Sequence, residues 1–325
     1  MRVLLIGVDW DNGGLFNSLA KAFRNVLGID AMQLVGQTSY LGYDYDWKIG
    51  EVDPAEVMDY AKDCDFFIFE DVPFSSAQFP FSNYLRPGNC CICGTGTGLF
   101  VNMDRILQTQ LNTGIPVLLP LKSGEQFYHK LMITPLDFVI IDTKRISDLT
   151  RGIKRNDVVT FCHSPTSTAK KGTSLIDDVI GQFHDLSYEY ITGKSWEEAI
   201  KAKARSHVLI NSVGGRTYGL NCLEGLAMGQ QVITDLGPWT FMMHPDIPMT
   251  TVNPLSLGRN YKFDGALYDM RAGLAEAIQR FKSMDPDELY NERGVEWVEK
   301  QNSAEVVCER WKWFFRMMLR RGDIP

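Results

Sequence analysis

The chain has 325 residues, and 33 lysines and arginines against 40 aspartates and glutamates leave a net charge of −7. That length points to about two domains of roughly 150 residues each. A composition of 45% hydrophobic and 22% charged residues excludes a disordered, collagenous or coiled-coil chain. The acidic balance argues against a surface that wraps nucleic acid, which shows a basic stripe, but leaves room for a local basic cleft.

In chain order, residues 2–8 read as a buried strand, followed by the loop Asp9-Trp10-Asp11-Asn12-Gly13-Gly14. Apolar residues at Leu15, Leu19, Ala22, Phe23 and Val26 have helical spacing and predict a helix over 15–27. Strands are expected at 31–35, 65–69, 89–93, 116–119 and 137–141, with a helix at 54–62 and a helix stop at Asn112-Thr113-Gly114. Polar residues 143–156 read as a linker. The second half repeats the pattern, with strands at 157–162, 187–191, 207–211 and 231–234. Helices are expected at 173–183, 195–205, 221–228 and 272–282, and a Trp/Phe/Met-rich helix at about 303–320. Ser195 followed by Glu198 is a capping box for the 195–205 helix.

Alternating strands and helices specify parallel sheets with helices on both faces, so the fold class is α/β with two Rossmann-like domains. The expected division is 1–150, 151–302 and a terminal helix over 303–325. Two such domains facing each other make a cleft, a preferred ligand site. No apolar run of about 18 residues is present, so no membrane span is expected. The opening strand does not resemble a secretory leader. The seven cysteines are odd in number and sit mostly in apolar runs, so they read as reduced thiols of a cytoplasmic protein. Cys90 and Cys93 have CxxC spacing but lack a second ligand pair, which favours packed thiols over a metal site.

The chemistry concentrates in two loops of the second half. His163-Ser164-Pro165-Thr166-Ser167-Thr168-Ala169-Lys170-Lys171-Gly172 joins a strand to a helix. Helix-start amides and the macrodipole favour an anion there, and Lys171 can meet a diphosphate as a compact charge. The alternative is a solvated lysine pair. The second loop, Gly214-Gly215-Arg216-Thr217-Tyr218-Gly219-Leu220, leads into a helix that carries Glu224 in its expected first turn. Its glycines permit close backbone approach. Glu224 is either a ribose-binding carboxylate or a helix cap.

The segment Tyr218-Gly219…Leu223-Glu224-Gly225-Leu226-Ala227-Met228-Gly229-Gln230-Gln231-Val232-Ile233 resembles the signature of retaining GT-B glycosyltransferases of the glycogen-synthase-like group, E-G-F-G-x-x-x-x-E-A-M-A-x-G-x-P-V-I. Residues 163–172 resemble that group's Lys-Gly loop, and Gly13-Gly14 its N-terminal glycine loop facing the donor. The resemblance implies two facing Rossmann-like domains with a C-terminal crossover helix around Trp311–Phe315, and transfer of a sugar from a nucleotide-diphosphate sugar to an acceptor hydroxyl. It implies that Glu224 holds the ribose, that Lys171 neutralises the diphosphate, and that Gly219 and Leu220 offer backbone amides. Two positions depart from the pattern: Arg216 stands where the group has its first glutamate, and Thr166, Ser167 and Thr168 stand where an upstream arginine is usual. Retention and donor identity stay open on that account, and Arg216 is the candidate replacement cation.

A UDP-sugar donor is expected in preference to a GDP-sugar. No metal or other cofactor is expected, because lysine, amides and a helix dipole can stabilise the leaving diphosphate. Asp9-Trp10-Asp11, Asp44-Tyr45-Asp46 and Asp63-Cys64-Asp65 have D-x-D spacing but are expected by chance in an acidic chain. Asp9 or Asp11 at a strand end would bind acceptor, or act as base if the enzyme inverts; a solvated loop is the equal alternative. Glu70-Asp71 is a similar pair. Gly94-Thr95-Gly96-Thr97-Gly98 lines the acceptor side or is a plain turn. His163 touches the transferred sugar or is a packed histidine. The aromatic stretch Phe74, Phe79, Phe81 and Tyr84 is an acceptor loop or a hydrophobic plug. The acceptor is open between a modified DNA base and a glycan or small molecule, and the chain is expected to act as a monomer or homodimer. A non-catalytic nucleotide-sugar-binding module and a sugar-nucleotide epimerase are the rival readings.

Overall fold

The computed structural model describes residues 1–7, 14–38, 40–71, 73–86, 88–94, 102–119, 133–214, 218–252 and 263–320. It forms two compact units, residues 1–140 with 304–325 and residues 141–303.

The first unit holds a seven-stranded sheet in the order β3-β2-β1-β4-β5-β6-β7. Its strands are β1 (Arg2–Gly7), β2 (Asp30–Val35), β3 (Trp47–Lys48), β4 (Phe66–Glu70), β5 (Cys90–Cys93), β6 (Val117–Leu119) and β7 (Ile133–Pro135). Every neighbouring pair is parallel. β1, β4 and β5 are buried over nearly all their length, as strands covered on both faces must be. Helix α1 (Leu15–Leu27) buries Phe16, Leu19 and Phe23 and ends on Gly28 in the left-handed region. Helices α2 (Pro54–Lys62) and α3 (Met103–Thr113) follow, and Asp53 caps α2 by accepting from the Ala55 N–H.

The second unit starts with α4 (Thr143–Thr150) and has a five-stranded sheet in the order β12-β11-β10-β8-β9, again parallel throughout. The strands are β8 (Thr160–His163), β9 (Ser187–Tyr190), β10 (Val208–Ile210), β11 (Gln231–Thr234) and β12 (Thr250–Thr251). Its helices are α5 (Thr168–Lys171), α6 (Thr173–Ile180), α7 (Trp196–Lys203), α8 (Leu220–Ala227), α9 (Pro238–Met243), α10 (Phe263–Lys282) and α11 (Glu292–Asn302). The terminal helix α12 (Ala304–Leu319) belongs to the first unit. It sets Trp311 and Phe315 edge-on to Phe23 at 5.4 and 5.5 Å, and Phe315 against Phe66 at 5.2 Å. No helix among the described residues is long and apolar enough to cross a membrane.

Three expectations are corrected. Residues 137–141 form no strand: Phe138 and Val139 are buried in an irregular segment, and the edge strand lies earlier, at Ile133–Pro135. A short apolar run shows burial but not conformation. The expected linker 143–156 opens on α4, because Asp142 caps it from Arg145 N and Ile146 gives it a buried anchor. The helix α11 was not expected; Asn291 caps it, and it buries Trp297 and Val298 in a segment otherwise rich in charge.

Candidate functional site

In an open parallel sheet, ligands bind where strand order reverses, outside the carboxyl ends of the strands. In the second sheet that point lies between β8 and β10, since β9 is on one side and β11 on the other. The segment 164–172 that contains α5 follows β8, and residues 211–219 connect β10 to α8, so topology brings the two chemistry-bearing segments together.

Bonds then lock them. Val213 N donates to the Lys171 carbonyl at 3.2 Å. Gly172 lies in the left-handed region at φ +67°, and a Cβ on it would stand 2.3 Å from the Val213 carbonyl oxygen. Only glycine fits there. Gly172→Ala is expected to cost at least about 2 kcal/mol, combining strained φ with a backbone clash. Gly193 has a φ of +68° and open space around it. Gly193→Ala should therefore cost only about 1 kcal/mol. Urea unfolding of the two variants checks this, and equal losses would contradict the clash.

The Lys171 side chain runs to the start of α8. Its Nζ lies 3.4 Å from the position of a Cβ on Gly219, the residue that caps α8 without any side-chain hydrogen bond. The first-turn N–H groups of such a helix have no intrahelical acceptor. Lys171 is half-buried, and among the described residues its ammonium has no hydrogen-bond or ion-pair partner. Burial lowers its pKa from the ordinary lysine value. A desolvated cation without a described partner beside uncapped amides has the chemistry to attract an anion. Tyr218 is buried behind this helix start, edge-on to His244 and Trp297 at 6.2 Å each.

Glu224 falls at the fifth position of α8, just beyond the expected first turn. It is 8% exposed, and both its oxygens accept from the protein: Oε1 from Trp196 Nε1 at 2.7 Å, Oε2 from Lys203 Nζ at 2.6 Å. Lys203 is itself 2% exposed and also donates to Asn221 Oδ1 at 2.7 Å. Asn221 reaches the Ser164 carbonyl at 3.4 Å, which ties the network back to the first loop. Arg145 stacks over Trp196 at 4.8 Å. Lys203, Trp196 and Asn221 are absent from the sequence-derived site. Lys203 was one charge among many in a charged helix, and nothing in its spacing marked it as buried.

His163 is fully buried. Its Nδ1 meets the Ile210 carbonyl at 2.8 Å and its Nε2 the Thr173 hydroxyl at 2.9 Å. Both ring nitrogens are thus committed inside the protein, which is the packed alternative, and no nitrogen faces a sugar. Burial lowers its pKa, as it does that of His207. Between the unfolded histidine value and these lowered values the unfolded chain binds more protons, so stability falls as the pH drops below about 6.5 and is flat above it. Unfolding midpoints measured from about pH 8 to about pH 5 should decline on the acid side only; a rise would contradict the burial argument.

Gly14 caps α1 at φ +68° with its α-carbon against the Tyr43 ring. Glu70 packs its carboxylate on Gly7, and Asp71 holds a left-handed φ of 57° at the end of β4. Asp9, Asp11, Gly13, Thr95–Gly98 and Arg216 lie outside the described residues. The other D-x-D pairs serve the fold: Asp44 pairs with Lys21, Asp46 with Arg24, and Asp63 with Arg2, while Asp65 accepts from the Arg2 N–H. All seven cysteines are buried as free thiols, Cys90 and Cys93 within β5. Phe79 and Phe81 are buried and stacked 5.9 Å apart, so that stretch is a plug.

The sequence matches no protein-family profile and no curated protein. The structure is similar to a sucrose-phosphate synthase from Thermosynechococcus elongatus at 12% identity and a TM-score of 0.64, covering 98% of this chain and 99% of that one. A trehalose-6-phosphate synthase is similar at 12% identity and a TM-score of 0.58, covering 98% and 99%. The pneumococcal O-GlcNAc transferase GtfA, solved with UDP and GlcNAc, is similar at 10% identity and a TM-score of 0.54, covering 99% of each chain. With its two parallel-sheet α/β units, the chain has the GT-B fold of these glycosyltransferases.

Proposed function

We propose that the chain is a glycosyltransferase that moves a sugar from a UDP-sugar to an acceptor hydroxyl, with retention and without a metal. The observation that carries this is the Lys171 ammonium, unpaired among the described residues and set beside Gly219 at the uncapped start of α8. In the transfer, the bond from the anomeric carbon to the diphosphate breaks and a bond to the acceptor oxygen forms. The acceptor proton leaves with the departing diphosphate, the path that fits retention of configuration. Lys171, the amides of Gly219 and Leu220 and the α8 dipole meet the charge that builds on the diphosphate.

Arg216, two residues before Tyr218, supplies a second cation. Each Glu224 oxygen uses one acceptor site on Lys203 or Trp196 and keeps another for a ribose hydroxyl. His163 acts through Thr173, fixing the start of α6 rather than touching substrate.

Two solved structures support a nucleotide-sugar donor: GtfA, which holds UDP, and a protein from Listeria monocytogenes described as a UDP-N-acetylglucosamine 2-epimerase, similar at a TM-score of 0.52. The test is a panel of UDP- and GDP-sugars with and without glycan, small-molecule and DNA acceptors. Release of UDP that rises with one acceptor is expected. Interconversion of free sugar nucleotides would replace the reading by epimerisation, and tight binding without turnover would replace it by a binding module.

A further inference from the structure

The five-stranded sheet has a cavity at its amino-terminal edge, at the other end of the strands from the Lys171 loop. It measures about 610 Å3, within the size range of small-molecule sites. His207, just before β10, lines it although the residue is only 2% exposed. Thr160 N donates to His207 Nδ1 at 3.2 Å, so the neutral ring carries its proton on Nε2. Among the described residues that N–H meets no acceptor. As a lining residue of the cavity, His207 can offer that N–H to an acceptor inside it.

The other walls supply complementary groups. Arg155 is fixed by donating to the Met228 and Gly229 carbonyls at 2.8 and 2.9 Å, and it stacks over Tyr290 at 5.3 Å. The Tyr290 ring is braced from behind by the α-carbon of Gly229, yet the residue is 56% exposed. Asp285 accepts from Asp287 N, and the Asp287 carboxylate has no donor among the described residues. Lys154 and Asp157 pair at 2.6 Å and cancel. One arginine against two carboxylates disfavours an anion. Fixed donors and acceptors around a rigid, exposed ring suit a group that both donates and accepts at each position, and that has an apolar face. Sugar hydroxyls and the C–H face of a pyranose have those properties.

We propose that this cavity binds a neutral saccharide, with His207 Nε2–H donating to a sugar oxygen, Asp287 accepting from a hydroxyl and Tyr290 carrying the C–H face. The site is separate from the diphosphate loops and does not rest on the glycosyltransferase reading. It would hold a glycan away from the reacting centre.

The experiment is histidine-ring proton–nitrogen NMR on the full chain, titrated with maltose, lactose and diacetylchitobiose in turn. At least one should give a saturable shift of the His207 Nε2 resonance. Asp287→Asn should weaken that binding about five- to tenfold while leaving UDP binding unchanged. The absence of a saturable shift with all three sugars would overturn the proposal. So would an Asp287→Asn titration identical to the wild type, or a larger shift with inorganic phosphate than with any sugar.

Discussion

Lys203→Met is expected to lower the thermal unfolding midpoint by about 10 °C. Lys203 and Glu224 form a buried ion pair, 2% and 8% exposed, closed at 2.6 Å. Methionine matches the lysine stem but leaves the carboxylate buried with one donor, Trp196. Breaking a buried pair on one side costs about 3–5 kcal/mol, and a domain of this size shifts by about 2–4 °C per kcal/mol. The double variant Lys203→Met/Glu224→Gln removes the stranded charge and should recover most of the loss. Calorimetry on the two variants separates the cases. A double variant as unstable as the single one would show that Lys203 acts through Asn221 instead.

Lys171→Met is expected to weaken UDP binding roughly 30- to 100-fold, the worth of one charge-assisted hydrogen bond in a partly desolvated site. The same substitution should leave stability unchanged or raise it, because the folded protein has no described partner for that charge. Loss of binding with retained stability marks a residue kept for a ligand. The pH dependence carries a sign as well. Burial lowers the Lys171 pKa below its ordinary 10.5, while a bound diphosphate favours the charged form. Wild-type affinity should therefore fall as the pH rises toward that lowered value, and the Lys171→Met variant should lose this alkaline limb. Titration calorimetry across the alkaline range reads both effects.

Parallel sheets, the helix at 15–27, the capping box at Ser195 and Glu198 and the aromatic terminal helix were all legible in the sequence. Each depends on local periodicity or on a local cap, and α1 and α7 show both outcomes at residue level. Of the candidate site, the meeting of Lys171 with Gly219 was legible. Lys171 and Gly219 stood out as a lysine before a glycine and a glycine before a helix, and the strand order then brings them together. The supporting half was hidden. Lys203 and Trp196 lie in the 195–205 helix, whose sequence resembles a solvated surface, and only the packing of α7 on α8 turns them inward to Glu224. His163 was ambiguous because a strand-end histidine can face the site or the core, and the carbonyl of Ile210 on the neighbouring strand decides for the core. The apolar run 137–141 misled for the same reason: hydrophobicity reports burial, and hydrogen-bond partners decide conformation.

The segments after β8 and β10 are proposed to hold a nucleoside diphosphate. A crystal structure of the protein with UDP tests this most directly. The diphosphate is expected within hydrogen-bond reach of Lys171 Nζ and of the backbone amides at Gly219 and Leu220, with the ribose toward Glu224. UDP seated anywhere else, with Lys171 still unpaired, would contradict it.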